Sequence, residues 1–177
     1  MAGPVNHDRY DDAYIRSILL GVKAIAMVGA SANEARPSFL VLKYLLSRGY
    51  AVTPVNPGLA GQAILGRPVV ASLRDVAGPI DMVDIFRNSE AAGAVVDEAL
   101  ALDPPPRVIW MQLTVRNDAA AARAEARGVQ VVMNRCPKIE YGRLSGEIGW
   151  SGVNSRVLSS RKLKAGDGVQ RLDIGGK

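Results

Sequence analysis

The 177-residue sequence has few of the residue types on which most catalytic and metal-binding sites depend. It contains one cysteine, Cys136, and one histidine, His7, so it cannot form an internal disulfide and lacks the ligands of a zinc site. We expect the amino-terminal segment to be mobile, which would leave His7 without a fixed place in a Ser-His-Asp or Cys-His arrangement. These scarcities predict a cytoplasmic protein that does not act as an enzyme.

Long apolar runs and aromatic residues are also scarce. No apolar run reaches the roughly 20 residues that a helix needs to cross a bilayer, and the amino terminus is too polar for a secretory signal. Aromatic residues make up only 5% of the chain. Six basic and two acidic residues lie within positions 155–177, and they account for four of the five net positive charges. A nearly neutral body with few stacking residues argues against nucleic acid and membrane as partners.

Short apolar segments alternate with helical patterns about five times along the chain. We predict strands at residues 23–29, 51–56, 81–86, 107–113 and 129–133, because each is short, mostly apolar and bounded by turn residues. Such alternation is typical of parallel strands joined by right-handed crossovers. The prediction is an α/β, Rossmann-like, doubly wound parallel sheet of about five strands in the order 3-2-1-4-5, with helices on both faces.

The chain length fits one domain. We expect that domain to extend from residue 1 to residue 145 and to include a helix before the first strand. From residue 146 to residue 177 the alternation of strand and helix patterns is lost. We expect this extension to be basic and partly flexible.

The turn after the first strand is the strongest candidate for a ligand site. An open parallel sheet binds ligands beyond the carboxyl ends of its strands, where the strand order reverses, here predicted between strands one and four. Gly29, Ala30 and Ser31 leave the first strand, and a helix begins near Pro37. Small residues before a helix let a phosphate approach free backbone N–H groups. We therefore favour anion binding over a plain strand-to-helix turn.

Two features weaken the case for a dinucleotide of the NAD type. The fingerprint Gly-x-Gly-x-x-Gly is absent, because Ser31 stands two positions after Gly29. The second strand ends in Val55, Asn56 and Pro57, without the acidic residue that usually binds the ribose hydroxyls of NAD. The pattern remains compatible with a phosphorylated adenosine.

Five motifs at the predicted strand ends resemble those of a known family: GASANEARPS, PVNPG, DMVDIFRNSE, WMQLTVRND and MNRCPKIEY. They are similar to motifs of the stand-alone bacterial and archaeal CoA-binding domain proteins, which are related to the amino-terminal CoA-binding domain of the succinyl-CoA synthetase alpha subunit. The resemblance extends from about residue 18 to residue 142. It implies a Rossmann fold that binds coenzyme A through its ADP and pyrophosphate.

The resemblance also implies a set of cofactor-binding positions. The phosphate cradle would comprise Gly29, Ala30, Ser31, Arg36 and Ser38. The adenosine end would be lined by Tyr50, Val55, Asn56 and Pro57. The cofactor would be flanked by Phe86 and Arg87, and its pantetheine would approach Gln112, Leu113 and Thr114.

Several of these positions have alternative interpretations. Arg87 could pair with a surface carboxylate, and Phe86 could belong to the core. The family usually has Gln-Leu-Gly where this chain has Thr114, and a side chain there would crowd the ligand or lose a positive-φ conformation. Cys136 stands between two nearby cations, which can lower a thiol pKa and favour a mixed disulfide with coenzyme A. Its alternative role is that of a small buried hydrophobe.

The leading hypothesis is non-catalytic binding of coenzyme A or acyl-CoA by a monomer or small homo-oligomer. Two alternatives stay open. The first is an NAD(P)-binding oxidoreductase or nucleotide sensor. The second is an accessory subunit of an acyl-CoA ligase, which would need a partner chain because the ligase's alpha subunit uses a histidine in a second domain, and this sequence predicts neither.

Overall fold

The computed structural model describes residues 3–146, in which a parallel sheet lies between two layers of helices. The extension predicted beyond residue 146 lies outside the described residues. The strands are β1 (Ala24–Val28), β2 (Ala51–Val55), β3 (Ala63–Ile64), β4 (Arg67–Pro68), β5 (Met82–Ile85), β6 (Val108–Met111) and β7 (Gln130–Val132). The helices are α1 (Asp12–Gly21), α2 (Pro37–Ser47), α3 (Ser89–Leu100), α4 (Asp118–Glu125) and α5 (Pro137–Leu144).

The parallel sheet has the order β2-β1-β5-β6-β7, and β3 and β4 form a separate antiparallel pair. The α/β, Rossmann-like fold is confirmed, but the predicted strand order 3-2-1-4-5 is wrong for the five long strands. The third predicted strand, β5, lies directly beside β1 instead of at the outer edge, and Val28 is in register with Ile85. The strand order therefore reverses between β1 and β5.

An isolated bridge at Val70, which the sequence pattern did not indicate, explains this difference. Val70 forms an isolated parallel bridge with Val55, its N–H donates to the carbonyl of Pro54 at 3.1 Å, and its carbonyl accepts from Asn56 N–H at 2.9 Å. The outer position beside β2 is thus occupied, and the chain crosses to the other side of β1 before it forms β5. With Val70 counted as the position next to β2 in the sheet, the order is that of a Rossmann sheet.

Helices cover both faces of the sheet, as predicted. α1, α2 and α5 pack on one face around Met27 and Trp110, and α3 and α4 pack on the other around Ile85 and Met111. The alternation of side chains along each strand assigns neighbouring residues to opposite cores. Among the helices of residues 3–146, none is long and apolar enough to cross a membrane.

The amino-terminal segment covers the open edge of β7. Tyr10 Oη accepts the N–H of Met133 at 2.7 Å, and Tyr14 Oη donates to the carbonyl of Val131 at 3.2 Å. His7 packs against this pair, with Nδ1 2.8 Å from Tyr10 Oη. The expectation that His7 lies in a mobile segment is therefore wrong, because the tyrosines satisfy backbone groups of an edge strand that would otherwise be exposed.

Substitutions at Val70 test the bridge between Val70 and Val55. Val70→Pro removes the N–H that donates to Pro54 and leaves that carbonyl unpaired, so we expect the free energy of unfolding to fall by about 2 kcal/mol in urea denaturation. Val70→Thr keeps the N–H and the branched shape, and it should cost less than about 1 kcal/mol. Equal losses for the two variants would show that the backbone bridge contributes nothing.

Candidate functional site

Gly29 brings the ends of β1 and β5 into close contact. Its φ is +84°, and a Cβ placed on it would lie 2.4 Å from the carbonyl oxygen of Phe86. Its N–H donates to the carbonyl of Val55 at 3.0 Å, so β1 and β2 also remain joined at this level. Only glycine combines the left-handed backbone with this close approach. The turn after β1 is thereby held against the turn after β5.

Asn56 joins the turn after β2 to the turn after β1. Its Nδ2 donates to the carbonyl of Ala30 at 2.8 Å, and its Oδ1 accepts the N–H of Gly58 at 2.8 Å. Both ends of the amide are therefore used to connect backbone segments. An acidic residue could not donate to Ala30 when ionised, which gives a structural reason for the missing carboxylate at the end of this strand.

A cavity of about 270 Å³ opens where these turns meet, on the α3 side of the sheet. One wall is a face of α3, and the opposite wall comes from the end of β2 and the segment after Val69–Val70. The residues that line it are Val28, Gly29, Val55, Asn56, Pro57, Ala71, Ser72, Arg87, Ala91, Ala94, Val95 and Glu98. Small apolar walls with a few polar groups are typical of a ligand site.

The structure brings five of the predicted site residues into this lining: Gly29, Val55, Asn56, Pro57 and Arg87. The remaining residues of the predicted phosphate cradle lie on the turn between β1 and α2. Ser31 Oγ accepts the N–H of Asn33 at 3.1 Å, and Arg36 is exposed at the start of α2. The side chains of Ala30 and Ser38 are buried, so they could offer a ligand little beyond backbone groups.

The prediction for Tyr50 is wrong. It stands before the first residue of β2, at the amino end of the strand, and its Oη donates to the carbonyl of Leu19 at 2.5 Å. Its ring contacts Tyr141 edge to face. Six residues of extended chain, or roughly 20 Å, separate it from Asn56 at the carboxyl end. Tyr50 therefore belongs to the core beneath α1 and α5.

Phe86 does not line the cavity; it packs, half-buried, against the core around α1, α2 and α5. The predicted pantetheine residues, Gln112, Leu113 and Thr114, are also absent from the cavity lining. Leu113 packs against the same core as Phe86.

Thr114 keeps a positive φ of 70°, so the expectation that it loses this conformation is wrong. Its N–H donates to Asn134 Oδ1 at 2.8 Å, which helps hold a backbone conformation that a branched residue rarely adopts.

Asp84 is an acidic residue that the sequence analysis missed. It is fully buried in the central strand β5, where Gln112 Nε2 donates to its Oδ1 at 2.8 Å. Within residues 3–146 its Oδ2 has no hydrogen-bond partner. Burial raises the pKa of this carboxyl to about 7, although the bond from Gln112 opposes the shift. The signal in the sequence is a single carboxylate inside an otherwise apolar strand.

Cys136 lies in the core on the same face of the sheet as Asp84. Burial raises the pKa of its thiol to about 11, and the charge of Asp84 acts in the same direction. The nearby Lys138 lowers the pKa too little to offset burial, so the expected activation by cations is wrong. A protonated, buried thiol is inert toward disulfide exchange, and the alternative, a small buried hydrophobe, fits the structure.

Seven cavity-lining residues were not predicted: Val28, Ala71, Ser72, Ala91, Ala94, Val95 and Glu98. Four of them lie on α3. Ala94, Val95 and Glu98 follow Ala91 by three, four and seven positions, which places all four on one face of the helix. That spacing is visible in the sequence. It could not be assigned to a ligand site, because the sequence did not reveal that α3 lies opposite the end of β2.

Gly29→Ala tests whether the contact with Phe86 restricts this position. We expect a loss of about 3 kcal/mol in the free energy of unfolding, from both the left-handed backbone and the contact. Gly49→Ala is the matched control, because Gly49 has a φ of +87° and no atom within 4 Å of an added Cβ. It should cost only about 1 kcal/mol. Equal costs would contradict a role for Phe86.

Asp84→Asn should change how stability depends on pH. Because the folded-state pKa of Asp84 is raised from 3.8 to about 7, the carboxyl destabilises the fold progressively as pH rises from about 4 to 7, and the penalty levels off above 7. The variant should match the wild type near pH 4 and exceed its free energy of unfolding by about 2 to 4 kcal/mol at pH 8. Urea denaturation across this range measures it.

Asp81→Asn provides the opposite case. Partial burial disfavours its charge, but backbone N–H groups of Ala24 and Lys23 and the Arg107 guanidinium outweigh burial and lower the Asp81 pKa. This variant should therefore lose stability at neutral pH.

If Asp84→Asn leaves the pH dependence of the free energy of unfolding unchanged, Asp84 is not a buried acid with a raised pKa.

Comparisons with known proteins agree with this architecture. A family model described as a CoA binding domain matches residues 23–142. The protein YneT of Bacillus subtilis is 38% identical over 129 residues, which are 73% of this chain and 93% of YneT. A solved structure from Pyrococcus horikoshii is 36% identical, with a TM-score of 0.73 over 82% of this chain and 100% of that chain.

A more distant solved structure shares the fold. It is acetyl-coenzyme A synthetase 1 of Candidatus Korarchaeum cryptofilum in complex with phosphate and ADP, 24% identical with a TM-score of 0.53, and the match covers 62% of this chain and 25% of that chain. The family match spans more than half of the present chain and includes every strand of the parallel sheet. The chain therefore belongs to the CoA-binding domain family.

Proposed function

We propose that the protein binds coenzyme A through its nucleotide part and does not itself catalyse a reaction. The observation that carries the proposal is the cavity between the ends of β1, β2 and β5, which lies where the strand order reverses. Ligands of open α/β sheets bind at this point of the fold. The family to which the chain belongs makes coenzyme A the first candidate for that ligand.

The walls of the cavity suit an adenosine group. Val55 and Pro57 face Ala91 and Val95 across the cavity, and small apolar surfaces of this kind accept a flat heterocycle without unpaired polar groups. Asn56 is committed to backbone hydrogen bonds. The end of β2 therefore offers no carboxylate to the ribose hydroxyls, which favours coenzyme A over NAD.

The turn after β1 supplies the groups that a pyrophosphate needs. Gly29 lines the cavity, and the turn that follows it leads into the amino terminus of α2, an eleven-residue helix that begins at Pro37. A helix amino terminus stabilises negative charge through its free N–H groups and its dipole. Arg87, exposed at the mouth of the cavity, adds a guanidinium that can bind phosphate oxygens.

Two features support binding without catalysis. The thiol of Cys136 is buried and protonated at neutral pH, as its raised pKa indicates, so it is a poor nucleophile. His7 packs against Tyr10 beside β7, at the opposite edge of the sheet from β2. Neither group can act on a ligand held in the cavity.

Calorimetric titration with coenzyme A, 3′-dephospho-coenzyme A, NAD and NADP tests the proposal. We expect coenzyme A to bind more tightly than NAD or NADP, because the end of β2 carries no carboxylate for the ribose hydroxyls of NAD. No binding heat at high micromolar coenzyme A, with protein shown to be folded by circular dichroism, would disprove the function. Tighter binding of NADP would indicate a different nucleotide site.

Arg87→Gln tests the placement of the phosphates. Removing the guanidinium should weaken coenzyme A binding about tenfold, the effect of losing a charge-assisted hydrogen bond, and should leave adenosine binding nearly unchanged. Arg16→Gln is the matched control, because Arg16 is exposed on α1 and does not line the cavity. If both variants bind coenzyme A as the wild type does, the phosphates do not lie at Arg87.

A further inference from the structure

The cavity has a charge of opposite sign at each end. Arg87 stands at the mouth, beside the turn after β5, and Glu98 lies further along the α3 wall. The lining residues of α3 run from Ala91 to Glu98, seven positions of helix, which correspond to about 10 Å along the axis. Glu98 is the one acidic side chain in the lining of this cavity. A ligand that fills it would meet a cation at one end and a carboxylate at the other.

The carboxylate of Glu98 is held in place by the backbone. Its Oε1 accepts the N–H of Leu73 at 2.9 Å, which ties α3 to the single turn of 3-10 helix at Leu73–Asp75. Each carboxylate oxygen has two lone pairs, so this bond leaves further acceptor positions on Glu98. The residue is half-buried, and it lines the cavity together with the apolar side chains of Ala94 and Val95 on α3 and of Ala71.

An acceptor in the wall of a mostly apolar cavity selects a ligand that places a donor beside it. We propose that Glu98 determines base specificity by accepting a hydrogen bond from the 6-amino group of adenine, an inference that rests on the proposed binding of coenzyme A. With the phosphates near Arg87, the base lies along the α3 wall and its amino edge points toward Glu98. A base with a carbonyl at the same position brings two acceptors together, which disfavours binding.

The wild-type protein alone provides the first test. Coenzyme A is compared by calorimetry with its deaminated analogue, in which hypoxanthine replaces adenine and the phosphates and pantetheine are unchanged. We expect coenzyme A to bind at least about tenfold more tightly, since the lost partner is a charged group. Equal affinities would overturn the assignment of Glu98 and leave coenzyme A binding intact. Failure of both ligands to bind would overturn the proposed function and this inference with it.

Glu98→Gln supplies the second test. The glutamine keeps an oxygen that can accept the N–H of Leu73, and it presents an amide donor in place of the second oxygen. We expect the preference for adenine to disappear or to reverse in favour of hypoxanthine, whose carbonyl then meets a donor. A role limited to anchoring Leu73 would lower the affinity for both ligands equally, and an unchanged ratio would therefore overturn the inference.

Glu90→Gln is the control for this comparison. Glu90 is an exposed glutamate in the first turn of the same helix, outside the cavity lining. The substitution removes one negative charge from α3, so it can alter the affinity for phosphates, but it should leave the ratio between the two bases at the wild-type value. A ratio that changes as much in this variant as in Glu98→Gln would overturn the proposal.

Discussion

The contact between Gly29 and the backbone of Phe86 is the constraint on which the rest of the site depends. β1 and β5 are neighbours in the sheet, and their carboxyl ends turn in opposite directions at the level of this contact. Because Gly29 has no side chain, the two turns can meet there, and Asn56 then joins the end of β2 to the same place. The cavity begins where these three turns converge, so its position follows from the sheet order and one glycine.

The two faces of the sheet have separate roles in this arrangement. The face beneath α3 carries the cavity, with small walls and charged groups at its two ends. The face beneath α1, α2 and α5 holds the ionisable groups that the cavity does not use: Asp84, hydrogen-bonded to Gln112, and the buried thiol of Cys136. Since β-strand side chains alternate between faces, residues one position apart in β5 serve different cores. The raised pKa values of Asp84 and Cys136 therefore belong to groups on the face of the sheet away from the cavity.

Much of the architecture could be predicted from local pattern. Alternation of apolar strands with helices, each bounded by glycine, proline or a capping residue, identified the parallel sheet and its two helical layers. The pattern could not reveal that Val70 pairs with β2, because a single bridge residue has no periodicity, and the predicted order of the longer strands was wrong for that reason. The resemblance implied that Tyr50 lies beside Asn56 at the ligand, but β2 separates the two residues and holds them at its opposite ends. Five of the positions that the resemblance implied stand at strand ends that the fold brings together around the cavity: Gly29, Val55, Asn56, Pro57 and Arg87.

The sequence by itself determined the fold class, the scarcity of groups for covalent and metal chemistry, and the glycine-containing turn after β1, because each depends on residue type or on contacts between near neighbours in the chain. Tertiary structure decided which turns face one another, which side chains are buried and what lines the cavity. Those properties depend on pairing between distant segments: Val70 with Val55, Gly29 with Phe86, and the Ala91–Glu98 face of α3 with the end of β2. Burial in particular arises only when the sheet is assembled, and it raises the pKa of the Asp84 carboxyl to about 7 and that of the Cys136 thiol to about 11.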